Sequence, residues 1–250
     1  YQEDYRFFTH SLTPCPPSDP ATFRIQIGNA QCSAPYSASI MNISAMSFGS
    51  LSANAIRALN KGASMGNFYH DTGEGSLSPY HLENGGDIVW EIASGYFGCR
   101  TLDGKFDPEK FKQQAALPQI KMIEIKLSQG AKPGHGGILP KDKITKEIAE
   151  IRGVSMDVDC ISPATHSAFS NPIEMMHFIK QLRDLSGVVT DSHHNNQPVM
   201  ARVRDLRQLD GVLLAGADIV YLGGEWLDSR SMQQEIGRLN LPVVVCKDKH

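Results

Sequence analysis

The chain contains no apolar run long enough to cross a bilayer as a helix, which takes about 20 consecutive apolar residues; its longest runs, such as Val243–Val245, are strand-sized. A membrane-spanning helix is not expected. Cysteine is scarce and scattered: Cys15, Cys32, Cys99, Cys160 and Cys246 are odd in number and far apart. That spacing argues against a disulfide framework, a zinc ribbon and an iron–sulfur centre, and points to a reducing, cytoplasmic compartment. Excess positive charge is also missing. With a net charge of −3 and a pI near 6.3, no basic field invites nucleic acid. No secretory leader is legible, and the opening Tyr1-Gln2-Glu3 fits a fragment or a processed form, including one that has lost an anchor. Internal repeats and low-complexity segments are absent as well.

What is present is an ordinary globular composition. Over 250 residues, 41% hydrophobic and 20% charged, the chain can bury one large α/β core or two smaller ones. Residues 1–37 carry Pro14, Pro16, Pro17, Pro20 and Pro35 and read as an extended arm packed on the rest, with one short strand at Phe23–Ile27. From residue 38 strand and helix signals alternate. Strands are expected at 39–46, 68–71, 87–92, 122–127, 156–161, 199–203, 218–222 and 241–246, the third of these only as a short element. Helices are expected near 55–59, 143–151, 172–185, 206–215 and 231–239. Alternation of this kind indicates parallel βα units. The fold class predicted is α/β, a (β/α)8 TIM-type barrel, complete or else cut short or fused at its C-terminal end. Its active site belongs at the carboxyl ends of the strands.

The unusual residues fall in the loops after strands. After the first comes Ala45-Met46-Ser47-Phe48-Gly49, and after the second His70-Asp71-Thr72-Gly73-Glu74-Gly75. Lys126 and Lys132 are delivered by Glu124–Gly137, where glycines 130, 134, 136 and 137 let backbone N–H groups approach an anion. The last of the four is Ser162-Pro163-Ala164-Thr165-His166. Glu74 suits a base, a substrate-orienting carboxylate or a partner of Lys132. His70, His135 and His166 are candidates for proton transfer or anion contact, since imidazole titrates near neutrality. A zinc site built from these histidines lacks a recognisable ligand spacing, so no metal is expected. Cys99 and Cys160 are weaker candidates for nucleophiles because neither has a histidine beside it in sequence.

Taken together, Met46–Ser52, Asp71–Gly75 and Lys126–Gly137 resemble the FMN-binding barrel domain of glutamate synthases, especially the stand-alone bacterial and archaeal-type proteins. The likeness covers about residues 27–187. Within 38–250 it divides a glutamate synthase-like part, 38–187, from a divergent or foreign barrel segment, 188–250, in which residues 215–225 resemble a strand of a collagenase-type peptidase family. The resemblance implies FMN across the strand ends, with Ala45, Met46, Ser47, Thr72, Lys126 and Ser162 as cofactor-binding residues. It places Lys126 by the N1–O2 edge of the flavin, where a cation stabilises the reduced anion. Glu74 and Lys126 are then catalytic, while Gln129, Lys132 and His166 bind substrate. The implied reaction is reductive formation of L-glutamate from 2-oxoglutarate and ammonia, or a related imine reduction, with electrons from an external donor. The family's iron–sulfur cluster finds no support in the cysteines.

Two other readings stand beside this one. A catalytically inactive barrel fragment or scaffold lacking the flavin-phosphate site would leave strand edges unpaired and favour homo-oligomers. A hydrolase built around Glu225 and Trp226 lacks a gathered nucleophile, base and orienting group.

Overall fold

A computed structural model of the protein describes residues 34–127 and 136–187, parts of 12–32, and the backbone of the strands Val199–Val203, Ile219–Gly223 and Val243–Cys246. The elements in chain order are β1 (Arg24–Ile27), β2 (Tyr36–Ser39), α1 (Ala53–Gly66), β3 (His70–Asp71), α2 (Pro79–Leu82), β4 (Ile88–Ile92), α3 (Pro108–Ala115) and β5 (Ile120–Lys126). There follow β6 (Ile138–Leu139), α4 (Lys146–Arg152), β7 (Cys160–Ile161), α5 (Pro172–Ser186), β8 (Val199–Val203), β9 (Ile219–Gly223) and β10 (Val243–Cys246).

The main sheet has six strands in the order β3-β4-β5-β8-β9-β10, and every neighbouring pair is parallel. Spatial order therefore follows chain order. Ile43 extends the ladder by one more parallel bridge, to His70. The fold is thus mixed α/β around a parallel sheet; among the described residues no bridge joins β10 to the segment at Ile43.

Local chemistry sets the helix ends. Ser52 caps α1 through Ala55 N–H, Asp107 caps α3 through Glu109 and Lys110 N–H, Thr145 caps α4 and Asn171 caps α5. Pro108 and Pro172 open their helices where a missing N–H costs nothing. At the far ends Asn67 and Gly153 adopt left-handed φ of 53° and 67°, which stops α1 and α4.

The two faces of β4 and β5 have different fates. Ile88, Trp90 and Ile92 join Ile123 and Ile125 against α3 and α5, with Trp90 stacked on Phe111 at 5.4 Å and Ile179 and Leu182 fully buried. The opposite face presents Val89 and Glu91 from β4, and Met122, Glu124 and Lys126 from β5, as strand alternation requires. A bulge at Lys121, where Ile88 pairs Ile120 but Val89 pairs Met122, lets Ile120 face the helices and Met122 face the other way. The antiparallel β1–β2 ribbon covers the amino-terminal end of that second face, where Ile27, Tyr36 and Ala38 pack on Tyr69, Val89 and Met122.

Three expectations change here. The segment 156–161 is not a strand of the main sheet: only Cys160–Ile161 is extended, and it pairs antiparallel with Ile138–Leu139. Its short apolar run satisfies a two-stranded excursion that leaves β5 and returns before α5. The strand expected at 39–46 is likewise split, into β2 and the isolated bridge at Ile43. The element at 87–92, expected only as a short one, is a strand whose five residues are all buried, at the centre of the core. The helices expected at 206–215 and 231–239 lie outside the described residues.

Candidate functional site

Parallel strands bring their carboxyl ends together, and the loops that leave those ends meet around Lys126. Its ammonium lies 3.4 Å from Glu91 Oε1 and 3.6 Å from Glu74 Oε2. The side chains of Lys126 and Glu74 are 12% and 17% exposed, so solvent screens this pair far less than a surface ion pair. Next to it lies a cleft of about 110 Å³ lined by Ser47, Glu74, Arg152, Cys160 and Ser162 together with Gly137 and Leu139. That volume holds several waters or a small acid.

The loop carrying Glu74 is fixed from below. Asp71 Oδ1 accepts the Gly73 N–H at 2.8 Å, and the Thr72 hydroxyl donates to Gly73 O while accepting from Glu91 N. Gly73 has φ +64°, and a Cβ there would stand 2.5 Å from Ser47 Oγ. A side chain at 73 would push apart the two loops that form the cleft wall. Gly75 N–H then donates to Ser47 Oγ at 3.2 Å. Ser47 thereby ties the first loop to the second, and Met46 does the same through its N–H to Asp71 O.

Arg152, at the end of α4, was not among the expected site residues. Its side chain is 5% exposed; Nη2 donates to Phe48 O at 3.1 Å, Nη1 lies 3.8 Å from Cys160 Sγ, and the guanidinium sits over the Phe97 ring. Nε has no hydrogen-bond partner among the described residues, and none of the ion pairs found there includes this arginine. A buried cation with no counter-ion, lining a cleft, is a ready partner for an anion. Sequence gave one faint signal for it: a basic residue ending a helix just before the short strand that carries Cys160.

Of the expected residues, Ser47, Glu74 and Ser162 line the cleft, and Lys126 is paired with Glu74 beside it. Ala45 and Met46 are half-buried in the adjoining loop. The Thr72 hydroxyl donates to Gly73 O and accepts from Glu91 N–H, which stiffens the loop. His166 is 6% exposed, and both ring nitrogens are engaged: Nε2–H donates to Lys126 O at 2.8 Å, and Nδ1 accepts from Tyr96 OH at 3.1 Å. Burial lowers its pKa, which keeps the ring neutral near pH 7. Its role is therefore to hold the backbone at Lys126 in place, and the substrate contact expected of it does not follow. Tyr96, itself at φ +48° and fully buried, is the strained residue that anchors this strut.

His70 departs further from expectation. It points away from Asp71 on the other face of β3 and packs on His81 at 5.1 Å, fully buried, with neither nitrogen partnered among the described residues. Burial first, then the charge of His81, drives its pKa down to about 3. It takes no part in proton transfer at the cleft. Gln129, Lys132, His135, Glu225 and Trp226 lie outside the described residues. No histidine joins a cluster able to hold a metal among the described residues; the one such group is Asp71, Glu91 and Glu124. Cys99 and Cys160 are free thiols, both buried.

Comparison with known proteins fits this architecture. Residues 20–225 match the family described as "Conserved region in glutamate synthase", and the chain belongs to that family. The match reaches beyond the 27–187 expected from sequence and takes in residues 215–225. Over 161 residues, 64% of the chain, it is 44% identical to the glutamate synthase large subunit-like protein YerD of Bacillus subtilis, of which it covers 30%. Over 184 residues, 72% of the chain, it is 32% identical to the archaeal-type glutamate synthase [NADPH] of Thermotoga maritima, of which it covers 32%. The archaeal glutamate synthase [NADPH] of Archaeoglobus fulgidus is 32% identical over 185 residues. The chain thus spans about a third of the length of these relatives. Among the described residues no helix is long and apolar enough to cross a membrane.

Proposed function

We propose that the chain forms the FMN-carrying barrel of a glutamate synthase-type oxidoreductase, and that the cleft beside Lys126 is where a small dicarboxylate such as 2-oxoglutarate is converted with ammonia to L-glutamate. The observation that carries this reading is the meeting of the buried Arg152 and Glu74 on one cleft at the strand ends, with the largely shielded ammonium of Lys126 3.6 Å from Glu74. Membership of the family makes an oxidoreductase the natural class. The chain-ordered parallel strands further support a (β/α)8 barrel, whose sites lie at this end.

The residues present suit the ring side of FMN. An ammonium only 12% exposed stands at the end of β5, and Arg152, whose buried Nε has no hydrogen-bond partner among the described residues, adds a second cation on the cleft wall. Lys126 would hold the pyrimidine edge of the ring, and the backbone and side chains of Ala45, Met46 and Ser47 would lie along it; Ser162 lines the same cleft. When bound, FMN supplies the hydride chemistry. The protein's own residues do the rest. Arg152 and, on the family resemblance, Gln129 and Lys132 secure the substrate carboxylates, with the planar guanidinium suited to a two-point grip. Glu74, held by Lys126 and by the Gly73–Gly75 turn, orients the reacting nitrogen. His166 and Tyr96 keep the Lys126 backbone from moving as charge builds beside it. Electrons come from an external donor, and NADPH, named in the archaeal-type relatives, is the first to try.

The test is direct: purified protein loaded with FMN and reduced chemically is mixed with 2-oxoglutarate and ammonium, and L-glutamate is measured by chromatography. Formation of glutamate in the wild type and its loss in Glu74→Gln support the reading. Flavin that stays reduced in the presence of both substrates contradicts it.

A further inference from the structure

Below Lys126 the inner face of the sheet carries three carboxylates in one layer. Asp71 on β3, Glu91 on β4 and Glu124 on β5 are 3%, 1% and 4% exposed, and their oxygens lie within 4.8 Å of one another. Glu91 and Glu124 are direct register partners. Lys126 meets the layer at Glu91 Oε1, 3.4 Å away, and has Glu74 as its outer counter-ion. On the far side β8 places Met200 at the register position beside Glu124 and Arg202 beside Lys126. An oxygen of Asp71 lies within 4.8 Å of one from Glu124 and one from Glu91, and Asp71 Oδ1 accepts the Gly73 N–H.

Such a group resembles a cation site, but two observations point to a proton instead. An ammonium already stands against Glu91, and buried carboxylates this close together are held side by side by a proton between them. Three buried carboxylates this close cannot all ionise. Burial, with Glu124 and Glu91 adding to it, drives Asp71 well above the ordinary carboxylate range, so Asp71 is the member that keeps its proton.

We propose that Asp71 is a positioning residue for Lys126: by donating a hydrogen bond to Glu124 it occupies that carboxylate, and so leaves the Lys126 ammonium to answer to Glu91, Glu74 and an anion in the cleft. Without that donor, Glu124 turns to the Lys126 ammonium, two residues along the same face of β5, and Lys126 is drawn down into the layer. Which anion Lys126 then fails to meet rests on the function proposed above; the placement of the lysine does not.

Two ligand-free measurements on the intact chain test this, so failure of the proposal and failure of the FMN reading are distinguishable. The first is the infrared carbonyl band of a protonated carboxyl at pH 7, compared between wild type and Asp71→Asn. The second is the rate of reductive methylation of Lys126 by formaldehyde with cyanoborohydride as the hydride donor, followed by mass spectrometry, in wild type, Asp71→Asn and Asp71→Ala. The band is expected in the wild type and absent from Asp71→Asn, whose amide keeps the donor without the ionisable proton. Lys126 should methylate at the wild-type rate in Asp71→Asn and on the order of tenfold more slowly in Asp71→Ala. A band that survives in Asp71→Asn, or methylation rates in the two variants that change together, overturns the proposal; since Asp71→Asn is close in shape, a folding defect confined to Asp71→Ala leaves the infrared result to decide.

Discussion

Replacing Arg152 by Met separates a binding role from a structural one, because the two predict opposite balances of stability and affinity. The guanidinium is 5% exposed, and taking such a group out of water costs several kcal/mol. Against that stand one charge-assisted bond to Phe48 O, about 1.5–3 kcal/mol, and a cation–π contact with Phe97, about 0.5–2 kcal/mol. These terms nearly cancel. Met, of similar reach and apolar, should therefore leave the ligand-free protein within about 1–2 kcal/mol of wild type, on the stabilised side if either. Binding should behave otherwise, since losing the buried partner of a carboxylate costs at least about 2–5 kcal/mol, on the order of a hundredfold in affinity. The assay is urea unfolding with and without 2-oxoglutarate: at a hundred times its Kd a ligand stabilises the fold by about 2.7 kcal/mol. Wild type should show that gain, and Arg152→Met should keep only about 0.4 kcal/mol of it at the same concentration. A variant that loses more than about 3 kcal/mol without ligand, yet keeps the full ligand-induced gain, would show that Arg152 is merely a strut for the loop at Phe48.

Three further outcomes are expected. His70 and His81, which burial holds down to about 3 and about 4, stay neutral in the fold while the unfolded chain takes up protons below about 6.5; stability is full above that pH and falls on acidification by about 1.4 kcal/mol per unit per histidine down to pH 4. Urea midpoints at pH 7 and pH 5 check this, and His70→Gln should flatten the slope; an unchanged slope contradicts it. Gly73→Ala should lower stability by more than about 1–2 kcal/mol, the cost of a left-handed residue alone, because the new Cβ also meets Ser47 Oγ at 2.5 Å; a thermal midpoint equal to wild type refutes the close approach. Asn60→Ala should cost about 1–3 kcal/mol, since this fully buried amide on α1 accepts from Gly86 N and donates to Gly86 O; denaturant unfolding within error of wild type would exclude that clamp.

Much of the frame was legible because it rests on periodic patterns. The strands at Val199–Val203, Ile219–Gly223 and Val243–Cys246 were expected within two residues of where they lie, since short mostly apolar runs set between segments of helical sequence pattern have few alternatives. Helix α5 was readable from Pro172 and the apolar stripe behind it. By contrast, α3 was missed: Pro108–Ala115 is strongly charged outside Phe111 and Ala115, so its two buried residues leave no visible period. The excursion through β6 and β7 deceived for the opposite reason. Cys160–Ile161 has the composition of a core strand, and only pairing information reveals that its partner is Ile138–Leu139. Ser162 still reaches the cleft, by way of that excursion and not as the end of a barrel strand.

At the site, glycine spacing and the lysine of β5 pointed to loops that meet beside the cleft, whereas the roles expected of His70 and His166 did not follow. A histidine's role depends on which face it leaves and what its nitrogens meet. His70 turns from Asp71 toward His81, and His166 turns to Lys126 O and Tyr96 OH; neither direction is written in a single residue's neighbours. Arg152 was hidden by distance, because its contact with Phe48 spans 104 residues.

The central claim is that Lys126 stands beside a flavin. Its most direct test is the visible absorption spectrum of the protein after incubation with excess FMN and removal of free cofactor, followed by a redox titration of the wild type and Lys126→Met. The account predicts a retained flavin spectrum in the wild type and a flavin that is harder to reduce once the ammonium is gone. A colourless wild-type protein, or a reduction potential that Lys126→Met leaves unchanged, contradicts it.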